Sequence, residues 1–371
     1  MNVSQSVISR LWSRYRDTQS VQDRPRSGRP RATTQAQDRF IRTLALRNRV
    51  ITANQISARL QTDTGVRVSG QTIRNRLHRG HLHQGVRFVY RENNNTFDRD
   101  VEPEYITYNT DESIAYIGLQ ENNAIAEVNL ITETITAIHG LGAKSWSNYK
   151  LDPSDKDGGI DLSNYDIKSF YLPDSIHFQT WMGTNIIIMA NEGDAKDYED
   201  LIGWNEEVRG TNVSNAIPHL VQTALADDNR LGRLLFSKVD GLNSAGKYDN
   251  VYAYGGRSMT IRSVVSGMPV LYDSGGIIEE QIAKNFPDFF NSNGRSGDTP
   301  KENMDGRSDN KGPECESLET AVIGGRLIIF VGNERPGSIS IFSVGDDFSD
   351  TRYESTYFGI PQSDASRVSV I

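Results

Sequence analysis

A loose internal repeat over residues 101–345 constrains the fold of this chain more than any other feature of its sequence. Three copies begin near residues 102, 172 and 312. Each copy has a proline followed by an acidic residue, an apolar strand, a turn, and a second strand that ends in Gln-Glu or Asn-Glu. Short strands in units that cannot bury both faces alone are typical of β-propeller blades. We therefore expect residues 101–371 to form an incomplete all-β propeller of roughly four to five blades.

The charge is divided between two parts of the chain. Residues 1–91 contain eighteen arginines, no lysine and four aspartates, whereas the remainder holds twenty-two basic and forty-four acidic residues. This asymmetry indicates two domains with different partners, of which the first binds a polyanion. A hydrophobic content of 36% excludes a disordered composition. Cys315 is the single cysteine, which excludes an intrachain disulfide and a zinc site built on thiolates.

The basic part predicts short amphipathic helices separated by an arginine-proline segment, "RPRSGRPRATT" at 24–34. Two prolines and a glycine prevent that segment from continuing a helix. A first helix is capped near Ser4, and three further helices follow the segment, in the plan of a helix-turn-helix domain. The apolar faces of the four helices contain Val7, Ile8, Leu11 and Tyr15; Phe40, Ile41 and Leu44; Ile56 and Leu60; and Ile73 and Leu77.

The last of these helices has the side chains expected of a helix that reads DNA. Its apolar residues leave Gln71, Arg74, Asn75 and His78 outward, after an N-cap at Ser69. Arginine pairs with guanine, asparagine and glutamine pair with adenine, and the many other arginines suit phosphates. The alternative is a small helical bundle with a solvated basic face.

Two stretches, "VSQSVISRLWSRYRDTQSVQDRPRSGRPRATT" and "LRNRVITANQISARL", closely resemble the paired-like DNA-binding region of Tc1/mariner-type transposases. The resemblance implies a remnant of a first helix-turn-helix unit at 1–23, a minor-groove strap at 24–34, a second unit at 35–90 and a linker at 91–100. It also implies that residues 1–90 bind duplex DNA. The predicted DNA-binding residues are Gln5, Ser9, Arg10, Arg26, Gly28, Arg29, Pro30, Arg31, Gln71, Thr72, Arg74, Asn75 and His78.

The chain lacks the pattern of a catalytic transposase. Such an enzyme needs three widely spaced carboxylates that hold two metal ions for phosphoryl transfer. After the second helical unit the sequence instead enters the β repeat, and we interpret Asp98 and Asp100 as part of a solvated linker. No nucleophile elbow, zinc-protease motif or dinucleotide fingerprint is present. We expect no enzymatic activity and no obligatory cofactor, with DNA transposition and integration as the ancestral role.

The acidic part resembles the mesenchyme-specific cell-surface glycoprotein family, also described as choice-of-anchor I domains. The resemblance rests on segments such as "GLQENNAIAEVNL", "ANEGDAKDY" and "GNERPGSISIF", spread over most of residues 101–345. It implies an extracellular or cell-surface propeller glycoprotein, linked to biomineralisation and calcium, with an unknown protein or mineral partner. In contrast to that family, Met1 is followed by a polar, basic pattern, and we expect no signal peptide and no membrane span.

The repeat places acidic residues at equivalent positions. The second strand of each copy ends in Glu121, Glu192 or Glu334, and the proline at the entry of each copy precedes Glu104, Asp174 or Glu314. Radial blades would bring the strand-end glutamates to one mouth of the channel, where hard oxygen ligands suit weak Ca²⁺ binding. The alternative is that these residues form turns and cap strands.

Two aspartate-rich loops, at 152–161 and 305–314, do not fit the register of an EF-hand, and the sequence assigns them no ligand.

The sequence thus predicts a small all-α helix-turn-helix domain followed by an incomplete all-β propeller, in an α + β multidomain chain. Two functions compete. The first is non-catalytic DNA binding in the nucleus, with the propeller as a protein-interaction platform. The second is an extracellular or cell-surface module, in which the helical part is a relic.

Overall fold

The computed structural model describes residues 32–47, 53–70, 72, 73, 76, 86–90, 95–213, 219–243, 246–293 and 299–358. This part of the chain is mostly β-structure with a few helices. The helices are α1 Gln35–Arg47, α2 Ala53–Thr64, α3 Phe97–Asp100, α4 Glu199–Ile202, α5 Gly210–Val213, α6 His219–Leu225 and α7 Ile277–Asn285. Three 3₁₀ turns lie at Pro287–Phe289, Pro300–Asn303 and Phe348–Asp350. None of the described helices is long and apolar enough to cross a membrane.

Nineteen strands are assigned within the described residues. In chain order they are β1 Pro103–Tyr108, β2 Ile114–Leu119, β3 Ala124–Asn129, β4 Thr134–Gly140, β5 Ala143–Ser145, β6 Lys168–Phe170, β7 Ile176–Trp181, β8 Thr184–Asn191, β9 Asp197–Tyr198, β10 Trp204–Asn205, β11 Glu207–Arg209, β12 Leu235–Ser237, β13 Tyr252–Ala253, β14 Ser258–Ser263, β15 Val270–Asp273, β16 Cys315–Ile323, β17 Arg326–Asn333, β18 Ser338–Val344 and β19 Thr351–Phe358.

Three four-stranded antiparallel sheets carry the three copies of the repeat. They have the orders β1-β2-β3-β4, β15-β14-β8-β7 and β16-β17-β18-β19. A five-stranded sheet, β11-β12-β13-β6-β5, contains a parallel pair between β13 and β6, and β9 pairs with β10. Within the described residues no sheet closes on itself. The apolar strand of the middle copy is fully buried in β8, as its sequence predicts.

The sheets of the three copies pack together near their first strands. Strand β1 contacts β7, and β16 contacts both β7 and β8. The largest apolar core joins the second and third sheets to helix α7, and its members include Ile188, Met259, Ile278, Ile329 and Phe342. The acidic residues at the ends of these strands are consequently brought close to one another.

The helical part has the core that its sequence predicts. Ile41 of α1, Ile56 and Leu60 of α2, and Ile73 are all buried in one cluster. The Ser69 hydroxyl accepts a hydrogen bond from the Thr72 amide at 3.2 Å. This confirms the predicted N-cap of the helical segment that follows Ser69, which we call the third helical segment. Phe40 and Leu44 are half-buried against this core.

The prediction of a solvated segment around Asp100 is wrong. Asp100 is fully buried, and its carboxylate accepts hydrogen bonds from the amides of Val89 and Tyr90 at 3.0 and 2.8 Å. Arg87 is also buried and binds Glu206 and Asp240 of the β part. Residues 86–90 therefore pack with the β structure, because their backbone amides and one guanidinium find acceptors there. Asp98, in contrast, is exposed as predicted.

Candidate functional site

The repeat brings acidic side chains together, but not all the predicted ones. Glu192, Glu314 and Glu334, which we call the mouth cluster, each place a carboxylate oxygen within 4.8 Å of the others. Glu192 follows β8, Glu334 follows β17, and Glu314 precedes β16. The Glu334 amide donates to the Glu314 carbonyl at 2.8 Å, which fixes two members of the cluster.

Glu121 does not join this cluster, so the predicted trio of Glu121, Glu192 and Glu334 is wrong in one member. From the first copy it is Gln120 that reaches across, and its amide nitrogen donates to Glu192 at 2.7 Å. Glu121 lies beside Glu102, and burial followed by the Glu102 charge raises its pKa to about 8. Lys196 opposes this shift, and its ammonium lies 2.9 Å from the Glu102 carboxylate.

Basic side chains of the same chain neutralise the mouth cluster. The Lys311 ammonium lies 2.5 Å from carboxylate oxygens of both Glu192 and Asp194. Arg307 donates to Glu314 at 2.6 Å. Arg335 completes the set, since its guanidinium lies 2.6 Å from the Glu334 carboxylate. Each carboxylate of the cluster therefore has a cationic partner.

The pKa shifts in the mouth cluster agree with these ion pairs. Burial raises the pKa of Glu192 and of Glu314, while Lys311 acts on both in the opposite direction. For Lys311 burial lowers the pKa, but the charges of Glu192, Glu314 and Asp194 outweigh burial and raise it. Such a cluster suits a structural role, because a metal ion has to compete with three bound cations.

The residues at the entries of the first strands form a second acidic group. Burial raises the pKa of Asp174 to about 8, and the charges of Glu192, Glu316 and Glu104 add to this effect. Sequence reasoning identified Glu104 and Asp174 but missed Glu316. The repeat pattern did not identify Glu316, because a β-bulge between Cys315 and Ser317 shifts the register of β16 by one residue.

The two aspartate-rich loops meet around Arg257. The Arg257 guanidinium donates to the Asp152 carbonyl at 2.7 Å, to the Glu279 carboxylate at 2.9 Å and to the Ser308 carbonyl at 2.7 Å. We call the acidic residues at this junction, Asp152, Asp157, Glu279 and Asp305, the loop pocket. Burial, followed by the charge of Asp305, raises the pKa of Asp152 to about 8.

The predicted DNA-binding residues lie largely outside the described residues. These are Gln5, Ser9, Arg10, Arg26, Gly28, Arg29, Pro30, Arg31, Gln71, Arg74, Asn75 and His78. Thr72 is described, and its hydroxyl lies 3.1 Å from the Ser69 hydroxyl within the N-cap. Arg76 is engaged inside the helical part, since its guanidinium donates to Thr33 at 2.7 Å and lies 3.3 Å from Asp38.

Comparison with known proteins defines the class of both parts. A choice-of-anchor I domain model matches residues 51–347, and a homeodomain-like domain model matches residues 7–77. The chain therefore belongs to the choice-of-anchor I domain family, and it carries a homeodomain-like region whose match overlaps the start of that domain. The first finding confirms the resemblance of the acidic part to the choice-of-anchor I family. The second confirms a helix-turn-helix class of domain in the basic part.

Two particular relatives are informative. The mesenchyme-specific cell surface glycoprotein of Strongylocentrotus purpuratus is 36% identical over 292 residues, which cover 71% of this chain and 37% of that protein. Gigasin-3a of Magallana gigas is 44% identical over 137 residues, which cover 37% of this chain and 48% of that protein. The chain thus matches less than half the length of either relative.

Among solved structures, the β-propeller domain of Myceliophteria thermophila Cps50 (Swd1) is similar at a TM-score of 0.23 and 8% identity. That similarity covers 69% of this chain and 60% of the other.

Proposed function

We propose that the homeodomain-like region binds duplex DNA without cutting or joining it. The observation that carries the proposal is the capped third helical segment, which packs through Ile73 against the core of α1 and α2. We expect the side of the segment opposite Ile73 to enter the major groove. The eighteen arginines of residues 1–91 supply attraction to phosphates. A transposase origin accounts for the "GRPR" strap at 28–31, which suits a narrow minor groove.

Fluorescence anisotropy on the full chain over a salt series tests this function. Arg74→Ala should cost roughly 1–3 kcal/mol on the preferred site and reduce discrimination at one base pair. Arg59 of α2 is exposed and serves as a control for phosphate contact. Arg59→Ala should weaken all sequences alike and reduce the log–log salt slope by about one.

The strap is tested with the double variant Arg29→Ala/Arg31→Ala. It should lose affinity for A·T-rich duplexes more than for G·C-rich ones, because narrow A·T minor grooves attract arginine most strongly. Equal affinities and slopes for wild type and all variants would reduce the interaction to bulk charge and end the proposal of specific DNA binding.

A second candidate function concerns the β part, as an extracellular or cell-surface binding module. The observation that favours it is the 36% identity to a cell surface glycoprotein. We infer an incomplete propeller, supported by the contacts of β1, β7 and β16 between three four-stranded sheets. Its partner is a protein or a mineral surface. Antibody staining of unpermeabilised and permeabilised cells separates the two candidates, since nuclear signal supports DNA binding and surface signal supports the module.

A further inference from the structure

The loop pocket holds more negative charge than the basic side chains among the described residues compensate. Asp152, Asp157, Glu279 and Asp305 lie close enough for their charges to interact. Arg257 pairs with the Glu279 carboxylate and contacts Asp152 through its backbone carbonyl. The side chains of Asp152 and Glu279 are fully buried, and Asp305 is 5% exposed. Buried carboxylates without a counter-charge destabilise a fold strongly, because they lose hydration and repel one another.

The neighbouring basic side chains are already committed to other carboxylates. Arg233 binds Asp155 at 2.9 Å and Asp309 at 2.9 Å. Lys156 lies 2.6 Å from Asp155 as well, and Arg209 lies 2.8 Å from Asp309. Lys144 is buried and its charge acts on Glu279, but its ammonium is held by Asp273 at 3.2 Å and by the carbonyls of Gly256 and Gly275. Among the described residues, Arg257 is the one cation that forms an ion pair with a member of the loop pocket.

An independent observation concerns the oxygen atoms of the pocket. Asn291 is fully buried, and its amide nitrogen donates to Glu279 at 2.7 Å and to the Ser308 hydroxyl at 2.9 Å. Ser308 in turn donates to Asp305 at 2.6 Å, so Asn291 lies between two acidic members. Within the described residues no donor reaches Asn291 Oδ1, Glu279 Oε2 or Asp157 Oδ2, although all three atoms are buried.

We propose that the loop pocket binds Ca²⁺, through one or two of the acidic side chains of Asp152, Asp157, Glu279 and Asp305, the amide oxygen of Asn291 and backbone carbonyls. Buried oxygens that lack donors need a cation, and Ca²⁺ accepts carboxylates, amide carbonyls and backbone carbonyls in irregular geometry. These ligands come from the two aspartate-rich loops, from α7 and from the segment after the 3₁₀ turn Pro287–Phe289, which explains why no single loop has the register of an EF-hand.

The distances between the acidic side chains also limit the coordination shell of the ion. Among the described residues, three acidic oxygens all within 4.8 Å of one another occur in the mouth cluster and not in the loop pocket. The coordination shell therefore combines fewer than three carboxylates with the Asn291 oxygen and backbone carbonyls. This arrangement favours Ca²⁺ over Mg²⁺, which demands near-ideal octahedral geometry and dehydrates reluctantly.

Isothermal titration of the full chain with CaCl₂ alone tests the proposal, with MgCl₂ as the competing ion. Asp157→Asn/Asp305→Asn preserves the shape of both side chains and removes two charges from the pocket. The matched control, Glu192→Gln/Glu334→Gln, removes two charges from the mouth cluster. We expect wild type to bind one Ca²⁺ with a Kd of about 0.1–1 mM, in the class of extracellular sites.

The pocket variant should weaken binding at least about tenfold, and the control should bind like wild type. Circular dichroism in EDTA verifies that each variant is folded. If the pocket variant is not folded, Asp157→Asn alone replaces it, and if the control is not folded, Glu334→Gln alone replaces it. Retention of affinity by the pocket variants would overturn the assignment, as would loss of affinity in the control or the absence of binding up to about 10 mM.

Discussion

The mouth cluster and the loop pocket each bring several acidic side chains together, but their negative charge is neutralised in different ways. In the mouth cluster, Lys311 and two arginines lie within ion-pair distance of three carboxylates. In the loop pocket, a similar concentration of carboxylates is served by Arg257 and leaves buried oxygens without donors. The comparison teaches that acidic composition alone does not identify a cation site. What distinguishes the two is whether the chain itself provides the counter-charge.

The largest effect is expected from removing a counter-charge of the mouth cluster. Lys311→Met should lower the free energy of unfolding by about 3 kcal/mol, because Glu192 is left buried and unpaired. Lys301→Met is the control, since its ion pair with Asp288 is largely exposed and should change stability by less than about 0.5 kcal/mol. Urea denaturation followed by tryptophan fluorescence measures both, and equal effects would contradict the account of the mouth cluster.

An intermediate effect of opposite sign is expected in the loop pocket. In EDTA, Asp305→Asn should raise the free energy of unfolding by about 1 kcal/mol, because it removes one of several like charges. Glu334→Gln should instead lower it by about 1 kcal/mol, since Arg335 loses the closer of its two carboxylate partners. In thermal melts, calcium should stabilise Glu334→Gln and should stabilise Asp305→Asn less. The comparison fails if both substitutions shift stability in the same direction.

The smallest effect concerns pH and Asp174. Its folded pKa of about 8 lies above the unfolded value, so its contribution to stability is complete at low pH and is lost as the pH rises towards 8. The charges that face it are those of Glu104, Glu192, Asp194 and Glu316.

Asp174→Asn should therefore be more stable than wild type at pH 8, by about 1 kcal/mol after allowance for solvent screening, and should match wild type near pH 4. Melting curves across this range measure the difference. The exposed Asp166→Asn serves as a reference that should track wild type throughout. A variant advantage that is the same at both pH values would point to packing and not to charge.

Local pattern predicted a large share of this fold. The apolar stripes of α1 and α2, the Ser69 cap and the apolar strand in β8 each depend on residues close in sequence, and each is found where expected. The repeat likewise predicted that Glu192 and Glu334 would meet. In these cases periodicity and capping chemistry are sufficient, because the interaction is local or is copied by the repeat.

Interactions across long sequence separations escaped the same reasoning. Arg87 binds Glu206 and Asp240, which lie 119 and 153 residues away, so nothing near Arg87 marks it as buried. In the mouth cluster Glu314 is found instead of the predicted Glu121, while Gln120 of the first copy reaches Glu192 of the second. The loop pocket is a further case, since its ligands come from two loops and from α7, and their meeting depends on tertiary packing.

A crystal structure of the full chain grown with CaCl₂, with anomalous difference maps, tests the central claim most directly. The account predicts one calcium peak in the loop pocket, in contact with Asp157, Glu279 or Asp305, and no peak among the carboxylates of the mouth cluster, where Lys311 keeps its place. A peak coordinated by Glu192, Glu314 and Glu334, or a loop pocket that contains no ion at saturating calcium, would contradict it.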